Sequence, residues 1–308
     1  MTLPTFLGIG AQRSGTTWLD SQLRTHPQIY LPTRRKEVHF FDKYFDRGLA
    51  WYQNFFPRKQ NASRFQTIGE ITPKYLYSAD APARIHKLLP GCKLIVILRN
   101  PADRAYSQYG LSVKKHGERR TFEEFCEERP DVFARGLYSR QMERYLRHFP
   151  QEQIFVLIFE RAVCRDQESA LRQIAGFLGI DPTGFETAAS HRRQGESFLP
   201  RFPRAGSAAT RLSGFLRDKN LDWAVNLAKA AGIPKLFGRR DELPPMLANT
   251  RDALLQRYQP DVAALEKLLG EDLSFWYESA DSGQPSDVSM TAARAAANSD
   301  IVSHHEAA

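Results

Sequence analysis

The 308-residue sequence has few cysteines and no long apolar run, and both absences narrow the possible classes of protein. Cys92, Cys126 and Cys164 are odd in number and lack the spacing of metal ligands, so we expect reduced, buried thiols. No stretch of about 18 apolar residues is present that could span a bilayer. The first residues also lack the charged start and apolar core of a secretory signal. Together these features predict a cytoplasmic protein without stable membrane insertion.

The charges are unbalanced. The chain has 43 lysines and arginines against 35 aspartates and glutamates, which gives a formal net charge of +8. Such a surplus favours anionic partners, for example nucleotides or acidic polysaccharides. The arginines are spread along the chain and form no nucleic-acid-binding module, so nucleic acid is not an expected partner. Judged from charge alone, the alternative to an anionic partner is a basic surface that binds no ligand.

The segment FLGIGAQRSGTTW at residues 6–18 predicts a phosphate-binding loop between a strand and a helix. Gly10 and Gly15 let the backbone wrap closely, and the free N–H groups at the start of the helix point at an anion. Nucleoside triphosphatases place a lysine after the second glycine, whereas this chain has Thr16 there and carries its cation, Arg13, inside the loop. A P-loop kinase is therefore disfavoured. A tight turn without a ligand stays the alternative.

A second anion-binding element is predicted at the end of a buried strand. Residues 93–98, KLIVIL, form the continuous aliphatic run that is typical of a parallel strand covered on both faces. Arg99 follows at its carboxyl end, and Ser107 lies about two turns into the next predicted helix. Ligands of open α/β sheets gather outside these strand ends, so both side chains can meet one anion. The alternatives are a surface salt bridge for Arg99 and an uncommitted helical serine.

Predicted strands alternate with predicted helices along the chain, which favours a parallel α/β sheet with right-handed crossovers. Helical patterns cover 18–25, 81–89, 168–178 and 249–269. We expect a P-loop-like parallel sheet flanked by helices on both faces, in a single domain over residues 1–278. Residues 279–308 are rich in Ala, Ser and Asp and are predicted to form a disordered tail.

Taken together, three motifs resemble the sulfotransferases that use 3′-phosphoadenosine 5′-phosphosulfate (PAPS), in particular the heparan sulfate amino- and hydroxyl-sulfotransferase branch and its bacterial relatives. GAQRSGTT at residues 10–17 is similar to the family's 5′-phosphosulfate loop, and ILRNPADRAYS at 97–107 to its 3′-phosphate motif. EVHFFD at 37–42, followed by GLAWY at 48–52, is similar to the segment that holds the catalytic glutamate of that branch. The likeness runs over residues 6–179 and returns in the C-terminal helix.

The resemblance implies a P-loop-like sulfotransferase fold and a donor site for PAPS. The residues implied in donor binding are Gln12, Arg13, Ser14, Gly15, Thr16, Thr17, Arg99, Ser107, Arg192, Arg193 and Gly195. The last three belong to a late basic loop for which Gly238–Arg240 is a second candidate. The implied acceptor is a hydroxyl or amine of a carbohydrate, glycolipid or similar molecule. No metal is expected, because fixed donors already hold an anionic leaving group.

The resemblance also implies catalytic roles for Glu37, Arg13, His39 and Lys74. Glu37 would deprotonate the acceptor during in-line attack, and Arg13 would stabilise charge on the bridging oxygen. The basic residues at positions 34–36 would lower the pKa of Glu37, whereas burial would raise it. His39 matches a residue that lines the acceptor site of hydroxyl-transferring members, as does Asp42. For these two a packed, hydrogen-bonded pair is the alternative, and for Glu37 a salt-bridge role.

The sequence departs from the family at one position where many members have a lysine. Many members have a lysine directly after the glutamate that corresponds to Glu70, whereas this chain has Ile71. Lys74 is one turn away and is the candidate replacement. The competing hypothesis for the whole chain is a catalytically inactive member that binds a nucleotide or an anionic glycan. Such a protein would be expected to have lost the base or the cradle, and here both are present.

Overall fold

The computed structural model describes residues 2–185, 199–200, 212–230, 238–239, 243 and 246–278. The strands are β1 (Phe6–Gly10), β2 (Ile29–Tyr30), β3 (Thr67–Ile71), β4 (Lys93–Leu98), β5 (Ile154–Ile158), β6 (Leu199–Pro200) and β7 (Gly238–Arg239). The first helices are α1 (Thr16–Thr25), α2 (Gly48–Gln53), α3 (Lys59–Ala62), α4 (Ala81–Leu88), α5 (Pro101–His116) and α6 (Phe122–Glu128). The later helices are α7 (Pro130–Ala134), α8 (Tyr138–Leu146), α9 (Gln167–Leu178), α10 (212–218), α11 (Asp222–Ala230) and α12 (Ala248–Leu269).

Five strands form one parallel sheet in the order β2-β3-β1-β4-β5, which confirms the predicted parallel α/β architecture. Strand β1 lies at the centre, between β3 and β4. Because parallel strands end at the same edge, the loop after β1 lies beside the carboxyl end of β4. The two motifs predicted to bind anions are therefore neighbours in the fold.

Both faces of the sheet are buried. On one face, Ile95 and Ile97 of β4 pack in a cluster with Leu19 and Leu23 of α1 and with Ile174 of α9. Successive strand residues point to opposite faces. The alternate residues of β4 are also fully buried, and these are Leu94, Val96 and Leu98. The aliphatic run KLIVIL thus has the burial that its composition predicts.

Local sequence signals set the start and the course of two long helices. Pro101 begins α5, and the Asn100 side chain accepts hydrogen bonds from the N–H groups of Ala102 and Asp103, which caps the helix. Helix α12 runs through Pro260 without ending there, as the sequence pattern predicted. In α8, Ser139 donates its hydroxyl and main-chain N–H to Asp261 of α12, which joins the two helices.

The chain divides into two compact units. The first ends at Gly270 and contains the whole five-stranded sheet, and the second starts at Glu271. In the second unit, the described residues include a 3-10 turn at Ser274–Tyr277. The predicted domain end at 278 stays a prediction, and the tail over 279–308 lies outside the described residues.

The three cysteines are free thiols, as expected, but the prediction that all are buried is wrong. Cys92 is buried and Cys126 is half-buried, whereas Cys164 is exposed. Cys164 lies on the π-helical turn Glu160–Arg165. On this turn Ala162 is buried in the core and the partly buried Val163 packs against it, whereas Cys164 is directed towards solvent. Among the described helices, none combines the length and the apolar character needed to cross a membrane.

Candidate active site

The loop between β1 and α1 has the conformation of an anion cradle. Arg13 and Gly15 both have left-handed backbones, with φ of 72° and 89°. A Cβ at Gly15 would lie 2.8 Å from the Phe159 ring, so both conformation and space require glycine there. Thr16 begins α1, whose first N–H groups have no partner within the helix. These N–H groups can bind a phosphate or sulfate oxygen.

Three predicted donor residues meet beside this cradle. Arg13 donates from Nε to the Ser107 hydroxyl over 3.1 Å, although the two residues are 94 positions apart. Arg99 donates from Nη1 to the Arg13 carbonyl oxygen over 3.4 Å. The Arg99 guanidinium lies 4.8 Å from the centroid of the Phe159 ring, which supports it from one side. The fold thus joins the two anion-binding motifs into one site.

This donor side carries an unbalanced positive charge. Burial lowers the pKa of Arg13, and the charges of Arg99 and Arg104 lower it further. Within the described residues, none of these three arginines forms an ion pair with a carboxylate. An anionic ligand would relieve the repulsion among them. The residues present therefore fit a phosphorylated, sulfated donor.

Two further loop residues connect the cradle to its surroundings. Thr17 accepts a hydrogen bond at Oγ1 from Lys36 Nζ over 3.1 Å, which ties the donor loop to the segment that carries Glu37. Gln12 accepts from the Arg135 guanidinium. Ser14 is completely buried. The sequence reasoning did not single out Arg135, and it treated Lys36 only as a neighbouring charge.

The late basic loop is not placed by the structure. Arg192, Arg193 and Gly195 lie outside the described residues. Of the second candidate, Gly238 and Arg239 form β7, which pairs antiparallel with β6. Which of these segments closes over the donor stays a prediction.

The predicted acceptor residues form a chain of alternating charges. His39 Nε2 lies 3.3 Å from Glu37 Oε2, and its Nδ1 lies 3.1 Å from Asp42 Oδ1. Lys74 Nζ lies 3.5 Å from Asp42 Oδ2. The side chain of Asp42 is only 2% exposed, whereas that of Glu37 is 36% exposed. Glu37 is therefore the carboxylate that an incoming acceptor can reach.

This geometry shifts the protonation equilibria of the cluster. Burial raises the pKa of Glu37, but the hydrogen bond and charge of His39, with the charges of Lys36 and Lys115, outweigh it and hold the pKa below its usual range. Burial alone would lower the pKa of His39, but the hydrogen bonds and charges of Asp42 and Glu37 raise it to about 9. At neutral pH the cluster contains an ionised Glu37 beside a charged imidazolium.

A buried carboxylate to which the sequence analysis gave no role lies behind this cluster. Glu70 in β3 has no exposed surface. It accepts hydrogen bonds from the hydroxyls of Tyr52 (2.7 Å), Thr72 (2.7 Å) and Tyr75 (2.9 Å). Burial raises its pKa, and the three hydroxyls oppose that shift. A glutamate inside an otherwise apolar strand was the available signal, since such residues are rarely buried without partners.

Two of these hydroxyls also bind main-chain N–H groups of the catalytic segment, residues 37–42. Thr72 Oγ1 accepts from the Val38 N–H over 3.0 Å, and the Tyr75 hydroxyl accepts from the Phe40 N–H over 2.9 Å. Between these two anchors His39 has a φ of 58°, an uncommon value for a residue other than glycine. The buried carboxylate and its hydroxyls thus hold the turn that aims Glu37 and His39.

Comparisons with known proteins identify the family of the chain. The sulfotransferase domain family matches residues 4–195. The chain belongs to the sulfotransferase family. Human heparan sulfate glucosamine 3-O-sulfotransferase 3B1 is 34% identical over 187 residues, which are 58% of this chain and 46% of the relative. Mouse bifunctional heparan sulfate N-deacetylase/N-sulfotransferase 4 is 30% identical over 297 residues, 89% of this chain and 31% of the relative. Both relatives are named as heparan sulfate sulfotransferases, the branch that the sequence motifs resemble.

A solved structure supports the same assignment of fold. A sulfotransferase from Alicyclobacillus acidocaldarius is 26% identical, with a TM-score of 0.62, and the match covers 90% of this chain and all of that one. The chain spans about half the length of the curated 3-O-sulfotransferases it matches. Within the described part of the sulfotransferase, no three His, Cys, Asp or Glu side chains converge as a metal ion would need.

The departure at Ile71 has a structural explanation in this sulfotransferase. Ile71 ends β3 and is fully buried, and a Cβ on Gly8 would lie only 2.9 Å from its side chain. This position therefore belongs to the core. Lys74 instead reaches Asp42, at the edge of the acceptor cluster. Whether it acts on the reacting group stays a prediction.

One more cation, Lys115, is influenced by charges in both halves of the sulfotransferase site. Lys115 lies in α5 eight residues after Ser107, a spacing that keeps both on one side of the helix. Desolvation lowers the pKa of Lys115, and the charges of Arg13, Arg217 and Lys36 lower it further, while Glu37 opposes them. The pKa of Lys115 thus depends on charges in the donor loop and on the charge of the base. The sequence analysis did not single out this residue.

The expected influence of Arg34 and Arg35 on Glu37 is not found. Arg34 Nε and Arg35 Nε donate to the two carboxylate oxygens of Asp222 in α11, over 3.0 and 2.8 Å. Both guanidinium groups bind Asp222 and not Glu37, so only Lys36 of the three basic neighbours helps to lower the pKa of Glu37. The paired arginines anchor the start of the catalytic segment instead.

Proposed function

We propose that the protein transfers the sulfuryl group of PAPS to a hydroxyl or amine of a carbohydrate or glycolipid, with Glu37 as general base. One observation carries the proposal: the donor cradle and the ionised Glu37 cluster are joined through the Lys36–Thr17 hydrogen bond of 3.1 Å. Membership of the sulfotransferase family supports it, as does the predicted motif order.

On the donor side, the N–H groups around Ser14 to Thr17 would bind the 5′ end of PAPS. Arg99 and Ser107 would bind the 3′-phosphate and so distinguish this donor from ATP. PAPS itself supplies the activated sulfuryl group. Arg13 lies between these two parts and would stabilise the negative charge that develops on the bridging oxygen. The excess of arginines without carboxylate partners supports this assignment.

On the acceptor side, Glu37 would take the proton of the acceptor as sulfur forms its new bond to the acceptor oxygen or nitrogen. The bond between sulfur and the bridging phosphate oxygen breaks in the same step, and 3′-phosphoadenosine 5′-phosphate (PAP) leaves as an anion. The imidazolium of His39 keeps Glu37 ionised and oriented. In this step Glu37 receives the proton of the acceptor, and the leaving phosphate of PAP carries the negative charge. This supports catalysis without a metal.

A glycan acceptor is supported by the relatives, whose names specify heparan sulfate. Both O- and N-sulfotransferases occur among them. The cations Lys36 and Lys115 next to Glu37 favour an acceptor that carries negative charge. Nucleic acid stays an unexpected partner, and the cytoplasmic location stays a prediction from the sequence.

The test is a transfer assay with sulfur-labelled PAPS and a panel of oligosaccharide acceptors. We expect label in the glycan and one PAP released per sulfate transferred, without added metal. Labelled ATP with Mg²⁺ serves as the control donor and should transfer nothing. Phosphoryl transfer from ATP would contradict the proposal. Tight PAP binding with no transfer to any acceptor would favour the inactive nucleotide-binding alternative.

A further inference from the structure

The buried carboxylate of Asp222 holds two arginines that precede the base in the chain. Arg34 Nε and Arg35 Nε donate to its two oxygens over 3.0 and 2.8 Å. The side chains of Arg35 and Asp222 are each only 2% exposed, whereas that of Arg34 is 41% exposed. Asp222 lies in α11, outside the residues 4–195 that match the sulfotransferase family. The mechanism proposed above gives this carboxylate no role.

Further contacts with α10 and the turn after it hold the two guanidinium groups. Arg35 Nη2 donates to the Arg217 carbonyl oxygen over 2.9 Å, and Arg34 Nη2 to that of Asn220 over 3.0 Å. These carbonyl oxygens accept hydrogen bonds but carry no net charge. Among the described residues, the carboxylate that pairs with both arginines is that of Asp222. Its charge is therefore what compensates them.

The two arginines differ in how firmly their surroundings hold them. The Arg35 guanidinium lies over three aromatic rings, at 5.3, 5.8 and 5.5 Å from the centroids of Tyr44, Trp51 and Phe55. The Arg34 guanidinium lies over the Phe55 ring, 5.4 Å from its centroid, and is far more exposed. Without the carboxylate of Asp222, Arg35 would stay among the rings, whereas Arg34 would be released.

A released Arg34 would have the base within reach. Arg34 precedes Glu37 by three residues, and three residues of chain span at most about 11 Å. In the structure Glu37 is paired with His39 at 3.3 Å, and the charges of Lys36 and Lys115 also act on it. A guanidinium forms strong, often bidentate hydrogen bonds with a carboxylate. At Glu37 it would occupy the oxygens that must accept the proton of the acceptor.

We propose that Asp222 is a positioning residue of the reaction, which holds Arg34 and Arg35 away from Glu37 and so keeps the base available to the acceptor. It acts through the two arginines and takes no part in the chemical step itself. This inference rests on the proposed function, in which Glu37 is the base. The competing explanation is that Asp222 only supports the fold of the segment that carries Glu37.

The two explanations predict opposite shifts in the Asp222→Asn variant. The amide keeps an oxygen acceptor but loses the charge, so Arg34 is released and pairs with Glu37. A nearby positive charge favours the ionised carboxylate, so the pKa of Glu37 should fall by about one unit. If Asp222 only supported the fold, a loosened segment would weaken the contact of Glu37 with His39. The pKa of Glu37 would then rise towards its usual range, because that contact holds it low.

The pKa of Glu37 can be measured without an acceptor. The full chain is labelled with ¹³C at the glutamate side-chain carboxyls and titrated by NMR, and the signal of Glu37 is identified by its loss in Glu37→Gln. Adding Arg34→Gln to Asp222→Asn should reverse the shift, because the released guanidinium is gone. Asp222→Glu keeps the carboxylate and should retain most of the original pKa. The matched control is Asp252→Asn, at an exposed aspartate of α12.

The second measurement is transfer from PAPS to the oligosaccharide panel. In Asp222→Asn we expect kcat to fall about tenfold at an unchanged KM for PAPS, since the base is both weaker and occupied. Addition of Arg34→Gln should restore most of kcat. Because removal of one partner from a buried ion pair is destabilising, thermal unfolding is measured for every variant. If Asp222→Asn does not fold, Arg35→Met with Asp222→Asn is compared with Arg35→Met alone, which leaves no unpaired charge among the aromatic rings and still releases Arg34.

A pKa of Glu37 that stays the same or rises on loss of the Asp222 charge would overturn the inference. So would a loss of kcat that Arg34→Gln does not reverse. If the unmodified protein transfers sulfate in those cases, the sulfotransferase function stands and only the role of Asp222 fails. If the pKa falls as expected but the unmodified protein transfers nothing, the proposed function fails and the role of Asp222 in it fails as well.

Discussion

The donor and acceptor sides of the site differ in how their charges are balanced. On the donor side, the charges of Arg99 and Arg104 act on Arg13, and in the described part of the chain none of the three forms an ion pair with a carboxylate, so the protein relies on the ligand for compensation. On the acceptor side, Glu37 and Asp42 are paired with His39 at 3.3 and 3.1 Å. The first region is arranged to receive a highly charged molecule. The second is arranged to hold a base in its ionised form.

The two sides also differ in what holds them in position. The donor loop depends on backbone geometry. Gly15 has a left-handed backbone conformation, and a side chain there would clash with the ring of Phe159. The acceptor segment depends on side chains, because Glu70 supports it through the hydroxyls of Thr72 and Tyr75. Substitutions should therefore separate donor affinity from the chemical step.

The largest effect is expected on the acceptor side. Glu37→Gln should lower kcat by about 10³-fold, since a general base contributes between 10² and 10⁴. The affinity for PAP should stay unchanged, because Glu37 does not belong to the cradle. Glu152→Gln, at an exposed glutamate far along the chain, is the control. A loss of PAP affinity equal to the loss of kcat would remove the distinction between the two sides.

The next effect belongs to the donor side. Arg99→Ala should weaken PAP binding by about 30-fold, the value of a charged hydrogen-bonded contact to a phosphate. Binding of ADP, which has no 3′-phosphate, should change little. Arg172→Ala, an exposed arginine in α9, is the control. If Arg99→Ala weakened PAP and ADP equally, Arg99 would not recognise the 3′-phosphate.

A smaller effect is expected from the support behind the base. Tyr75→Phe removes the hydroxyl that joins Glu70 to the Phe40 N–H. It should lower kcat several-fold and reduce the free energy of unfolding by about 1–3 kcal/mol, the cost of leaving a buried polar group unpaired. PAP affinity measures the donor side and should be preserved. An unchanged kcat in a destabilised variant would show that the network is structural only.

The smallest expected effect is on the pH dependence of kcat. Because the pKa of His39 is about 9, its positive charge is present below that pH and is lost above it. Activity should therefore fall as the pH rises through about 9. His39→Asn should lose this alkaline limb and move the acidic limb to higher pH, since the charge that lowers the pKa of Glu37 is gone.

Lys115 is the other group near the base that could titrate in this range. Lys115→Arg keeps its charge at every pH of the assay. If the alkaline limb disappeared in Lys115→Arg and persisted in His39→Asn, the assignment to His39 would be wrong.

Much of the fold followed from local patterns in the sequence. The aliphatic run of β4, the Asn100–Pro101 helix start and the long helix through Pro260 all have the structures that their residues predict. Local signals suffice there because burial and capping involve neighbouring residues. The position of Cys164 was predicted wrongly, since which side of a surface turn faces solvent depends on tertiary packing.

The site was only partly predictable for the same reason. Motif order brought Arg13, Arg99 and Ser107 to one strand edge, and the structure joins them. The pairing of Arg34 and Arg35 with Asp222 joins residues about 190 positions apart and has no local signal. The support from Glu70 likewise depends on three hydroxyls that only the fold brings together.

The most direct test of this account is the calorimetric titration of the unmodified protein with PAP and with ADP. The unbalanced arginines of the donor side and the pairing of Arg13 with Ser107 predict tight binding of PAP and weak binding of ADP, both without metal. Equal affinity for the two nucleotides, or a requirement for Mg²⁺, would contradict the assignment of Arg99 and Ser107 to the 3′-phosphate and with it the proposed sulfuryl transfer.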